Sequence, residues 1–97
     1  GISFYGKADI MDMDAFPYDD KAVLKWTCLE DGVPVKVFAA VTNNFKAGGK
    51  DEWIEGGKAL SEDESYTVDL KRLPESSFYK FVLETPGSTL NRWMTVE

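Results

Sequence analysis

The chain has 97 residues, 43% of them hydrophobic and 29% charged, with seventeen acidic side chains against eleven basic ones for a net charge of −6. This length makes a single domain with one core, and no apolar run approaches the ~20 residues of a membrane helix, so insertion in a membrane is not expected. The charge repels a phosphate backbone, and Lys25, Lys36, Lys71, Arg72 and Lys80 are too dispersed to outweigh it, which excludes nucleic acid as the expected partner.

Gly1 opens the chain, and no basic stretch precedes an apolar one, so the sequence reads as a cut-out or processed piece of a longer protein. Residues 1–7 read as a linker or terminal remnant. Helical periodicity is almost absent, while period-two alternation recurs in short segments bounded by Gly, Pro, Asn and Asp. Met11, Met13 and Ala15 alternate with Asp12 and Asp14, predicting a first strand that ends at Phe16-Pro17, where proline has no ladder donor. Ala22, Leu24, Trp26 and Cys28 are the inner face of a second strand, closed by Glu30-Asp31-Gly32. Cys28 is the only cysteine, which rules out an internal disulfide, and its inward parity predicts a buried, unreactive thiol.

Val33, Val35, Val37, Ala39 and Val41 form the inner face of the third strand, with Lys36, Phe38 and Ala40 opposite. Gly48-Gly49-Lys50 and Gly56-Gly57-Lys58 bracket Asp51 to Glu55, which reads as a short charged edge strand between two flexible turns. Tyr66, Val68 and Leu70 predict the fifth strand, and Tyr79, Phe81 and Leu83 the sixth. After the turn Thr85-Pro86-Gly87-Ser88, Leu90, Met94 and Val96 share the inner face of a seventh. Trp93 points the other way, and Arg92 interrupts the inner face, so it belongs at a rim where it reaches water or a carboxylate.

Seven short strands at spacings near ten residues predict an all-β, antiparallel Greek-key β-sandwich. The chain resembles a fibronectin type III module, an immunoglobulin-like fold, over about residues 8–96. The resemblance lies in Trp26 late in the second strand, Val35 and Val37 in the third, Leu70 three residues before Leu73, and the corner Leu73-Pro74-Glu75-Ser76-Ser77-Phe78-Tyr79. The family's corner reads Leu-x-Pro-x-Thr-x-Tyr; Leu73, Ser77 and Tyr79 keep their places, while proline stands one position early. The resemblance implies structural roles for Trp26, Leu73 and Tyr79, with the Tyr79 hydroxyl turned back to a backbone group near Leu73.

Histidine is absent, which removes imidazole acid–base catalysis, imidazole metal sites and the Ser-His-Asp and Cys-His arrangements. Glu52/Glu55 and Asp63/Glu64 read as solvated charges rather than a glycosidase pair, and Gly57-Lys58 lacks the Ser or Thr and the upstream glycine of a phosphate loop. Asp9, Asp12, Asp14, Asp19 and Asp20 lack EF-hand spacing, and Asp12 and Asp14 read as the outward face of the first strand, so a calcium site is not expected. Neither an Asn-x-Ser/Thr sequon nor an Arg-Gly-Asp triplet occurs. No catalytic activity, cofactor or metal is therefore expected.

Three tryptophans, four tyrosines and six phenylalanines exceed what one small core needs. Parity turns Phe38, Trp93, one of Trp53 and Ile54, and Phe45 outward. The resemblance implies that the edge strand shares a sheet with the third, sixth and seventh, which gathers Phe38, Trp53, Val82 and Trp93 on one face as a candidate binding surface. Two function classes follow. One is a non-catalytic structural, adhesion or protein-interaction module of a longer, extracellular or cell-surface protein, contacting neighbouring domains or a protein partner. The other is a carbohydrate-binding module that stacks sugars on Trp53, Trp93 or Phe38, with Asn44 and Asn91 meeting hydroxyls. An apolar face of this kind is also compatible with a homodimer.

Overall fold

The computed structural model describes residues 10–41 and 52–96. Expectations attached to residues 1–7, Asp9, Asn44, Phe45, Gly48, Gly49, Lys50 and Asp51, and to the side chains of Met11 and Glu52, lie outside the described residues. Seven strands run as β1 Ile10–Tyr18, β2 Lys21–Cys28, β3 Pro34–Val41, β4 Glu52–Leu60, β5 Ser65–Asp69, β6 Phe78–Glu84 and β7 Thr89–Thr95. Single 3₁₀ turns at Ser61–Asp63 and Leu70–Arg72 complete the described elements. All pairings are antiparallel, in a three-stranded sheet of order β1-β2-β5 and a four-stranded sheet of order β4-β3-β6-β7.

Alternation places one face of each sheet in a shared, sandwich-like interior. Met13, Ala22, Leu24, Trp26 and Val68 come from the first sheet, and Val35, Val37, Ala39, Tyr79, Phe81, Leu83 and Met94 from the second; all are buried in one cluster. Phe81 lies in an inner strand of its sheet and is fully enclosed, so its truncation to alanine is in the class that costs ~3–5 kcal/mol.

Several strand limits differ from the sequence reading. β1 continues through Pro17 to Tyr18, because it is an edge strand and the missing amide of proline can face away from β2. A bulge between Met11 and Met13, with Asp12 at φ 52°, inverts the alternation, so Ile10 is buried although its parity opposes that of Met13. Asp19, at φ 53°, makes the two-residue turn into β2. Leu70 is buried from the 3₁₀ turn that follows β5 rather than from the strand itself.

Gly56-Gly57 is not a turn. β4 runs straight through it with a bulge opposite Val37/Phe38, leaving Gly56 as the extra residue. Gly57 holds φ +150° with the Tyr66 hydroxyl where a Cβ would stand, and Gly56 packs on Val37 and Val68, so close approach requires both glycines. Ala40, expected outward, is fully buried because its cross-strand neighbours Trp53 and Lys80 close over it.

At the two seams where the sheets abut, an arginine takes carbonyls beside a bulge. Arg72 donates to the Gly56 carbonyl at 3.1 Å and to the Glu55 carbonyl at 2.9 Å, with the Tyr66 hydroxyl also donating to Gly56 at 3.3 Å. On the other side Arg92 Nε donates to the Met13 carbonyl at 2.6 Å and lies 3.7 Å from the Asp14 carboxylate, which places it at a rim. A bulge frees a carbonyl from its ladder, and a guanidinium supplies the missing donor.

Candidate interaction surface

Pairing registers in the four-stranded sheet set three rows across its outer face. The first is Trp53–Ala40–Lys80–Trp93, the second Glu55–Phe38–Val82–Asn91, and the third Lys58–Lys36–Glu84–Thr89. Phe38, Trp53, Val82 and Trp93 therefore stand on one face, with Phe38 and Val82 half-buried and the indoles 41% and 48% exposed. Phe38, Trp53, Val82 and Glu84 line a shallow trough of about 330 Å³.

Lys80 sits between the two indoles. Its Nζ lies 5.6 Å from the Trp53 ring centroid and 5.1 Å from that of Trp93, so the ammonium is attracted by two ring faces while its alkyl stem covers Ala40. Each contact of this kind contributes ~0.5–1 kcal/mol where water has access. One face of each indole is thus engaged within the chain itself. Parity alone puts Lys80 outward in β6, but its place between two tryptophans follows from the registers.

The residues assigned structural roles lie inside. Trp26 is buried, with its Nε1–H donating to the Ser61 carbonyl at 2.9 Å. Leu73 is buried at the end of the second 3₁₀ turn, where its N–H bonds the Leu70 carbonyl at 3.0 Å. Tyr79 is buried and its hydroxyl accepts the Ser76 N–H at 3.2 Å, so the phenol turns back within its own corner but three residues beyond Leu73. Beside it a depression of about 340 Å³ is lined by Asp20, Lys71, Leu73 and Val96 among others.

Ser61 belongs to no sequence motif, yet it joins three segments. Its Oγ donates to the Glu30 carbonyl at 2.5 Å and accepts the Val33 N–H at 3.1 Å, while its backbone N–H reaches the Val33 carbonyl at 2.9 Å. The neighbouring carboxylates hold backbone too: Glu62 accepts from Gly32, Asp63 from Leu60 and Glu64 from Cys28. Asp63 and Glu64 are thereby committed to turns.

Cys28 is half-buried rather than enclosed. Loss of hydration, followed by the nearby Glu64 charge and the bond to Asp31, pushes its thiol above the usual range, so it stays protonated and a weak nucleophile. Asp20 pairs with Lys71 at 2.7 Å and Lys21 at 3.1 Å; hydrogen bonds from Lys71, then Lys21, lower its carboxyl from 3.8 to about 2. Among the described residues no group of three or more His, Cys, Asp or Glu side chains is placed to hold a metal ion.

The described fold and surface define the class of protein: an all-β domain of two antiparallel sheets with a mixed aromatic and cationic outer face. Compared with protein-family models, curated proteins and solved structures, the chain matches none.

Proposed function

We propose that this chain is a fibronectin type III-like Greek-key module, of immunoglobulin-like type, that acts without catalysis as a protein-interaction domain of a longer extracellular or cell-surface protein. The fold assignment is supported by the β1-β2-β5 and β4-β3-β6-β7 strand orders, the buried Trp26, and the Tyr79 hydroxyl bonded within its own corner. The interaction role is carried by one observation: Trp53, Lys80 and Trp93 stand in register beside the trough of Phe38 and Val82. Aromatic anchors around an apolar centre with charge at the margin resemble the composition of protein interfaces.

Sugar binding is the second reading, favoured by two half-exposed indoles on a flat face and by Asn91 in the adjoining row. Lys80 stands over a face of each ring, so a neutral sugar would have to displace it, and this ranks a protein partner first. The test selects binding peptides from a displayed library against the folded domain and screens the same domain on a glycan array. The proposal expects selected peptides to lose binding in Trp53→Ser/Trp93→Ser while circular dichroism remains that of the parent. Peptides indifferent to both substitutions would overturn it, and a glycan lost with the same pair would put the sugar reading in its place.

A further inference from the structure

We infer that the partner of this face is a second copy of the chain, seated face to face about a twofold axis that runs across the strands along the Glu55–Phe38–Val82–Asn91 row. This rests on the interaction reading above and names its partner. Along β6, Lys80, Val82 and Glu84 point outward in succession as cation, apolar and anion, and two copies turned about Val82 set Lys80 of each against Glu84 of the other. The pattern is complementary to itself.

The apolar residues fall where such a dimer needs them. Phe38 and Val82 lie in the row on the axis, so each stacks on its counterpart, and the trough they line closes at the centre. The ion pairs among the described residues occupy Lys21, Lys71 and Arg92 and leave the Lys80 ammonium without a carboxylate. Within its own strand, Glu84 is four residues away, ~13 Å along an extended chain, too far to pair in the same copy. A carboxylate arriving from a second copy would meet an ammonium flanked by indoles, where the attraction is roughly fourfold stronger than in bulk water.

A twofold axis along the strands would set Lys36 against Glu84 and turn Lys80 onto Ala40 of the second copy, whereas the chosen axis pairs Lys80 with Glu84 and turns Lys36 onto Ala40. The chosen axis gives the carboxylate to the ammonium held between the indoles and sets Phe38 on Phe38. The chosen axis carries one opposed like charge, Glu55 on Glu55, in the edge strand at the rim, where exposed charges matter least. Three rows across four strands cover on the order of 300–400 Å² per copy, well under the ~800 Å² of a standard interface, so the association is weak and fast.

The experiment is sedimentation equilibrium from about 10 µM to 1 mM, with Lys80→Glu, Glu84→Lys and their equimolar mixture. The wild-type chain is expected to self-associate within that range, each single variant at least tenfold more weakly, and the mixture to recover a heterodimer because both cross-pairs are again opposite in sign. Glu55→Gln should tighten the association. Val82→Lys, which sets like charges on the axis, is the second disruptive variant should Lys80→Glu fail to fold. A monomer throughout the range, or a dimer broken by Lys36→Glu but not by Lys80→Glu, overturns the inference. If the monomer still binds library peptides through Trp53 and Trp93, the self-pairing fails while the interaction face stands; indifference of those peptides removes the face itself.

Discussion

Replacing Ser61 by alanine isolates a single hydroxyl that joins the ends of three strands. The hydroxyl donates to Glu30 and accepts from Val33, while Trp26 bonds the Ser61 carbonyl and keeps its partner in the variant. Glu30 is exposed, so water replaces the donor at its carbonyl and the loss there is small. The Val33 N–H is half-buried, where water is a poorer substitute, and stranding a donor of this kind costs about 1–3 kcal/mol. Ser→Ala opens almost no cavity, so the net expectation is a loss of about 2 kcal/mol. For a domain near this size each kcal/mol moves the midpoint by ~4–8 °C, which gives a fall in Tm of roughly 8–16 °C. Urea denaturation followed by tryptophan fluorescence, with Ser65→Ala as an exposed control expected within about 0.5 kcal/mol, supplies the assay. A Ser61→Ala loss no larger than that of the control, at unchanged m-value, would show that Ser61 does not carry the junction.

Three further outcomes follow from the same geometry. Tyr79→Phe should cost about 0.5–1.5 kcal/mol by leaving the Ser76 N–H without the phenol oxygen, and a midpoint equal to wild type in urea denaturation would remove the corner bond from the account. Gly57→Ala should destabilise by at least ~1–3 kcal/mol because the new methyl overlaps Tyr66, and the loss should shrink in a Tyr66→Ala background; equal losses in both backgrounds would refute that contact. Asp20 has a folded-state pKa lowered to about 2, so its pairing contributes fully above the ordinary value of 3.8 and is lost as pH falls through about 2. Carboxyl NMR should find Asp20 titrating near 2 and moving back toward 3.8 in Lys71→Met, and an ordinary titration in the parent would contradict the paired geometry.

Much of the core was legible because side-chain direction alternates locally. Parity turns Leu24, Trp26, Val35, Val37, Phe81 and Leu83 inward, and all are buried. Parity failed where a long-range fact intervened. Ile10 escapes the pattern because the Asp12 bulge inverts the alternation, and Ala40, outward by parity, is buried because residues from β4 and β6 cover it. The Gly56-Gly57 pair looked like a turn because two glycines usually mark one; here they serve the approach of Tyr66 and the guanidinium of Arg72.

The sequence by itself determined the strand count, the inward face of the unbulged stretches, and the absence of imidazole chemistry, since these depend on residue type and a two-residue period that any extended chain obeys. Only the tertiary structure decided register: the bulges at Asp12 and Gly56, the placement of Ser61 between Glu30 and Val33, and the row that sets Lys80 between Trp53 and Trp93. Register arises from bulges, turn lengths and contacts between residues far apart in the chain, and a one-residue slip would leave each segment's alternation unchanged while reversing the face of its side chains relative to the partner.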